Sequence, residues 1–180
     1  MLSRILGFVR DILIARVLGA GPLADAFFVA FKLPNFFRRM FAEGTLTVAL
    51  VPVLSEQREQ GEQQAHDFLN ALATMLLLAL TVFTLLGMLL MPWLLYLFAP
   101  GFADEPERWD MALSLARLMF PYLAMISLAA LAWAVLNTYK HFAVPAASPA
   151  LLNVAIIFAA LVLAPSFESP ATALAIGVLI

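Results

Sequence analysis

Residues 68–103 read FLNALATMLLLALTVFTLLGMLLMPWLLYLFAPGFA, thirty-six consecutive positions without Asp, Glu, Lys or Arg. About 20 mostly apolar residues carry a helix across ~30 Å of hydrocarbon, so this stretch alone predicts one long, tilted membrane helix over 67–98. Working outward, residues 118–139 are again uncharged and form the core of a span expected over 110–137. Residues 141–167 also lack the four charged types, but Pro145, Pro149 and Pro165 trim the expected helix to 147–163. A further apolar run opens at Pro170 and is still running at Ile180. Upstream, 2–18 and 25–54 are apolar but studded with charge. The reading is an all-α polytopic membrane protein with five spans and the start of a sixth over 170–180. The whole of 1–180 is expected to be the N-terminal part of a longer, transporter-like chain.

Composition points the same way. The chain is 64% apolar and 12% charged, against ~45–50% and ~25% in soluble domains. With no Cys there is no disulfide framework, thiolate metal site, iron–sulfur cluster or Cys nucleophile. The net charge of −2 is unevenly spread. Residues 1–43 hold six cations and three anions, a net of +3, while 44–180 hold four cations and nine anions, a net of −5.

The connectors read as loops. GAGP at 19–22 is a turn, with Asp25 expected as the N-cap of the second helix. SEQREQGEQQAH at 55–66 is read as a short surface helix, and APGFADEPERWD at 99–110 as an acidic loop. Arg58 and Lys140 then lie on one side and Arg108 on the other, which predicts a cytoplasmic N-terminus. Trp93, Tyr96 and Trp109 bracket the acidic loop as an interfacial aromatic belt. His66 and His141 are expected in loops, at the surface.

Charge inside the first two spans is the informative feature. A charged side chain at the bilayer centre costs ~2.5–3.5 kcal/mol on insertion scales, so Arg4, Arg10, Lys32, Arg38 and Arg39 should face protein, water or one another. On a helical wheel Lys32, Arg39 and Glu43 fall within about 40°, with Asp25 on the same stripe. Arg39–Glu43 at i,i+4 reads as a structural ion pair. Lys32 has a possible partner in Asp25, and Arg16 reads as an interfacial anchor. Arg4 shares a stripe with Asp11, while Arg10 points elsewhere. Arg4, Arg10 and Arg38 outnumber the acids able to neutralise them. Unpaired cations in a membrane interior need an anion, and a guanidinium fork matches diphosphate oxygens. Pro34 removes a helix hydrogen bond inside the charged span, as in the broken helices that line transporter cavities. The Phe pairs at 27–28 and 36–37 read as packing or lipid-facing residues.

These residues also carry a resemblance. SRILGFVRD at 3–11, GAG at 19–21, ADAFFVAFKLPN at 24–35 and RRMFAEG at 38–44 resemble the N-terminal signature of the MurJ/MviN family of lipid II flippases, in the MATE-like MOP exporter superfamily. APGFA at 99–103, FPY at 120–122, LNT at 136–138 and PALLN at 149–153 extend it over essentially the whole chain. The resemblance implies a MATE-like MOP fold of two lobes around a central cavity, of which this chain is part of the first. It also implies that Arg4, Arg10 and Arg38 line that cavity and hold the substrate's diphosphate. Asp25 becomes functionally sensitive, and Lys32, Arg39 and Glu43 become supporting charges. The implied activity is translocation of undecaprenyl-linked lipid II across the bacterial inner membrane by alternating access. No catalysis, cofactor, metal or nucleic acid is implied. Implied partners are lipid II, membrane lipids and, as a candidate, the peptidoglycan synthesis machinery; the oligomeric state is open, with a monomer expected.

The nearest rivals are another MOP-type polyprenyl-diphosphate-oligosaccharide flippase and a MATE-like exporter. A cation exporter should line its cavity with acids, whereas the first two spans are net positive. An intramembrane enzyme would need clustered carboxylates or an interfacial His, and Asp104, Glu105, Glu107 and Asp110 fall in an outer loop.

Overall fold

The structure, a computed structural model, describes residues 2–41 and 45–180, and the side-chain surroundings of 3–37 and 48–180. The described residues are helical almost throughout, without a strand. Helix α1 (Leu2–Leu18) stops at Gly19, whose φ of 67° is a left-handed conformation suited to glycine. Helix α2 (Pro22–Phe41) opens on a proline, which loses nothing at a first position that has no intrahelical donor role. Asp25 is therefore not an N-cap. Its own N–H donates to the Gly21 carbonyl at 3.2 Å, inside the first turn. The span expected over 25–54 is described as α2 and α3 (Thr45–Gln60), with residues 42–44 outside the described residues.

The polar stretch 55–66 is not a separate helix. It is the end of α3 and the start of α4 (Glu62–Leu89), which meet at Gly61 with φ 149°. His66 accordingly lies on α4, exposed, rather than in a loop. Arg58 bonds Glu62 at 3.2 Å across this corner and lies 4.2 Å from the Tyr139 ring centroid. The Tyr139 hydroxyl donates to the second Glu62 oxygen at 3.2 Å.

Prolines explain the other departures from expectation. The long helix over 67–98 breaks at Leu90 into α4 and α5 (Met91–Phe98), because Pro92 has no N–H and its ring crowds the carbonyl of Met88. A single turn at Pro100–Phe102 leads to α6 (Pro106–Met119). That helix begins four residues ahead of the expected 110, again on a proline, and bends at Phe120-Pro121 into α7 (Tyr122–Thr138). Helix α8 (Ala143–Phe158) starts ahead of 147 because Pro145 sits in the first turn, where its missing donor is not needed. Before Pro165 the helix loosens into a π turn (Ala159–Leu163) and a short 3₁₀ turn (Ala164–Ser166). Helix α9 covers Pro170–Leu179.

Among the described residues, three stretches are long and apolar enough to cross a membrane: Glu62–Leu89, Pro106–Thr138 and Ala143–Ser166. Their outward faces are apolar, with Met75, Leu78, Leu85 and Leu89 all exposed. Trp93 and Tyr96 are exposed on α5, while Trp109 is half-buried against the core.

The main core lies where α2 runs along α6 and both meet α9. The short helix α9 is the most enclosed, burying Ala171, Ala173, Leu174, Ala175 and Val178. Gly177 permits this, since a side chain there would run into the Ala159 methyl of the π turn. A second cluster joins α3, α4 and α7 through Leu50, Leu54, Ala65, Leu131 and Ala134. Within the main core, the Phe120 ring stacks on Phe83 at 6.1 Å and meets Phe37 edge-on at 5.9 Å.

Gly87 on α4 faces this aromatic set, and an added Cβ would collide with the Phe120 ring. Phe83 and Phe37 hold that ring in place, so Gly87→Ala should destabilise the protein by ~1–3 kcal/mol through overpacking. Thermal unfolding in detergent should show a midpoint several degrees lower, while Gly101→Ala, which meets open space, should not move it. An unchanged midpoint for Gly87→Ala would contradict the packing argument.

Candidate anion-binding groove

Five positions of α2 (Phe28, Phe31, Lys32, Asn35 and Phe36) follow the i, i+3, i+4, i+7, i+8 spacing and so share one face. They line a groove of about 750 Å³, closed by Arg10 of α1, Phe98 of α5 and Leu152 of α8. Pro34 points the other way and is fully buried. The helix is not broken there, running unbroken from Pro22 to Phe41. Near the lost hydrogen bond, the Asn35 amide donates to the Phe31 carbonyl at 3.0 Å. The Phe pairs divide by face: Phe27 is core, whereas Phe28 and Phe36 belong to the groove. Phe36 packs edge-on against Phe98 with ring centroids 5.3 Å apart, which joins α2 to α5.

Among the described residues, the lining holds two cations, Arg10 and Lys32, and no acid. They are held differently. Arg10 donates from Nε and Nη2 to Asp11 Oδ1 at 3.0 and 2.8 Å, and from Nη1 to Asn153 Oδ1 at 2.9 Å. Charge counting left Arg10 unneutralised because it pointed away from the Arg4–Asp11 stripe. The side chain instead curls onto its chain neighbour. Arg4 and Asp11, seven residues apart, are separated by ~10 Å along the axis, beyond ion-pair reach. Lys32 forms no hydrogen bond or ion pair with any described residue.

Asn153 is the residue that sequence reasoning missed as a participant. It is 5% exposed and satisfied on both sides. Its carbonyl oxygen accepts from Arg10 Nη1, and its amide donates to the Ser3 carbonyl at 3.1 Å. It therefore fixes α1 against α8 and sets the plane of the Arg10 guanidinium. The available signal was a lone carboxamide in an otherwise apolar helix, which calls for a partner.

The remaining charges lie elsewhere. Arg4 is exposed, without a bond to any described residue, and is not part of the groove lining. Asp25 does not pair with Lys32, two turns further along. Its carboxylate lies 4.0 Å from Arg108 of α6, which also bonds Glu105 at 3.1 Å and lies 5.5 Å from the Phe102 ring centroid. The backbones of Arg38 and Arg39 belong to α2, but their side chains are outside the described residues, and so is Glu43. The expected Arg39–Glu43 pair is therefore outside them too.

An all-helical chain with three membrane-length apolar stretches and a cation-lined groove between its helices defines a multi-pass membrane protein. Residues 14–180 match the family model described as "Lipid II flippase MurJ". The chain is 42% identical over 181 residues to the lipid II flippase MurJ of Burkholderia cenocepacia, covering 100% of this chain and 35% of that protein. It is 43% identical over 159 residues to the probable lipid II flippase MurJ of Buchnera aphidicola from Acyrthosiphon pisum, covering 88% of this chain and 31% of that one. A solved structure titled lipid II flippase MurJ, inward closed conformation, superposes with a TM-score of 0.80 at 30% identity, over 98% of this chain and 38% of that one. The chain belongs to the MurJ family. It spans about a third of the length of the curated relatives it matches.

Asn153→Ala removes the acceptor for Arg10 Nη1 and the side-chain donor to the Ser3 carbonyl, both in part-buried contacts. A loss of ~1–3 kcal/mol of stability is expected. Asn153→Asp, which keeps the acceptor for Arg10, should lose less. Equal unfolding midpoints for wild type and Asn153→Ala would remove Asn153 from this role.

Proposed function

We propose that this chain forms the first-lobe wall of a lipid II flippase cavity, with Arg10 and Lys32 contacting the diphosphate of the undecaprenyl-linked substrate. The observation that carries the reading is Lys32, unpartnered among the described residues and facing a groove with Arg10 and no lining acid. A cation so placed favours an anionic ligand, and the adjoining Phe28, Phe31 and Phe36 give it an apolar border. Arg10 supplies a planar fork whose outer N–H groups suit a phosphate, held at a fixed angle by Asp11 and Asn153. By family membership, Arg4 and Arg38 are proposed to contribute to the same cavity, Asp25 to act at its far end, and Arg39 and Glu43 to support it. The headgroup enters from the cytoplasmic face while the polyprenyl tail stays in the bilayer, and the two lobes rock to expose the cavity outward. This places the protein in the bacterial inner membrane with its N-terminus inside.

The test uses the full gene product in cells depleted of their own lipid II flippase, scored for growth and for lipid II exposed at the outer face. Wild type should rescue both. Lys32→Ala and Arg38→Ala should insert normally and lower exposure at least tenfold, as expected for loss of a charge-assisted contact of ~1.5–3 kcal/mol. Full rescue by both variants overturns the cationic-cavity reading. Failure of a well-inserted wild type redirects the substrate to another polyprenyl-diphosphate oligosaccharide, the second reading that a diphosphate-binding groove permits.

Orientation is tested separately. Residues 1–180 contain no Cys, so single cysteines at Gln63 and Glu105 are introduced with any Cys elsewhere in the gene product replaced by Ser. An impermeant maleimide added to intact cells should label Glu105→Cys and spare Gln63→Cys. The reverse pattern refutes a cytoplasmic N-terminus.

A further inference from the structure

Arg117 lies on α6 within the Pro106–Thr138 stretch, exposed on the outer surface of the bundle. Its Nε donates to the Met88 carbonyl at 3.2 Å. That carbonyl is the acceptor Pro92 leaves without its helical donor, so the guanidinium is anchored where α4 breaks into α5. Neither Nη group has a partner among the described residues. The nearest acid toward the start of α6 is Asp110, seven residues and about 10 Å away along the axis. The charge is thus held in place at one edge and unneutralised at the other.

The depth of this position is legible from chain length. The uncharged run begins at Phe68, and twenty residues of helix from there rise about 30 Å, which ends the hydrocarbon crossing at Met88. Beyond it the surface is that of an interface: Leu89 is 72% exposed, and Trp93, with the amphipathic ring favoured at headgroup level, is 76% exposed. An anchored, half-free guanidinium at headgroup depth, beside exposed apolar side chains, meets the chemistry of a membrane lipid: phosphate above and acyl chain below.

We propose that Arg117, held by the Met88 carbonyl at the α4–α5 break, binds the phosphate of an anionic phospholipid in the leaflet on the side of residues 99–110. The site is distinct from the Arg10–Lys32 groove, none of whose lining residues it shares. The two Nη groups present a planar fork to the phosphate oxygens, and the exposed Leu85 and Leu86, on the hydrocarbon side of Met88, offer an apolar surface to the upper acyl chain. Pro92 acts as a positioning residue, since its missing N–H keeps the Met88 carbonyl available to Arg117.

The experiment is lipid titration of the full gene product, purified in detergent and followed by native mass spectrometry, with phosphatidylglycerol as the probe. Arg117→Gln keeps a donor for the carbonyl but removes charge and fork, and should weaken binding of the first lipid about tenfold. Pro92→Ala restores the helical donor to Met88 and is compatible with a helix. It should weaken binding about threefold by releasing Arg117. Millimolar inorganic phosphate should not displace the lipid. Wild-type affinity in either variant overturns the proposal, and displacement by inorganic phosphate overturns the lipid assignment in favour of a free-anion site. If Arg117→Gln elutes aggregated, the Pro92→Ala comparison decides the matter alone.

Discussion

A guanidinium in a membrane helix must find acceptors before the helix can settle, and at Arg10 those acceptors organise the lobe. Asp11 takes two of its donors and Asn153 a third, while the other end of Asn153 holds the Ser3 carbonyl. These contacts cross from α1 to α8, elements separated by more than a hundred residues, and fix the wall against which α2 presents Lys32. The groove is the space left when one cation is tied down and the other, on the facing helix, is not. Removing the tie would cost stability and would also let the Arg10 fork rotate away from the groove.

The same demand applies to the backbone. In lipid every freed carbonyl needs a donor, and this chain meets the demand in several ways. Pro22, Pro106 and Pro145 sit in first turns, where no donor is missed. Pro34 lies within α2 and frees the Ala30 carbonyl, while the Asn35 side chain donates to the neighbouring Phe31 carbonyl. Pro92 breaks its helix, and Arg117 reaches from α6 to the stranded Met88 carbonyl. Pro165 follows a π turn that packs against α9, where Ala159 and Gly177 let the two segments approach closely. At Pro92 and before Pro165, one helix thus depends on another.

The helical class and the membrane setting follow from the sequence by length and polarity alone, because a charge-free run such as 68–103 has no stable place in water. The positive bias of the first 43 residues and the presence of cations inside apolar helices are equally legible there. A helical wheel, however, reports only angle about an axis. It put Lys32 beside Asp25 and Arg4 beside Asp11 on common stripes, yet two turns of rise separate the members of each pair. The contact that Asp25 does make, with Arg108, depends on α6 lying along α2, which no local pattern encodes.

What the sequence by itself determined is therefore the solvent in which this protein folds, the helices it makes and the sign of the charge it must accommodate, since each follows from composition and period within a segment. Only the tertiary structure decided which cation is tied and which meets no partner among the described residues, that Phe28 and Phe36 face a groove while Phe27 is core, and that Asn153 and Arg117 meet partners on distant helices. The physical reason is that hydrogen bonds and ion pairs act over about 3–4 Å. The packing of α1 on α8, of α2 on α6 and of α4 near α6 chooses the partners, through side-chain shape summed over the whole lobe.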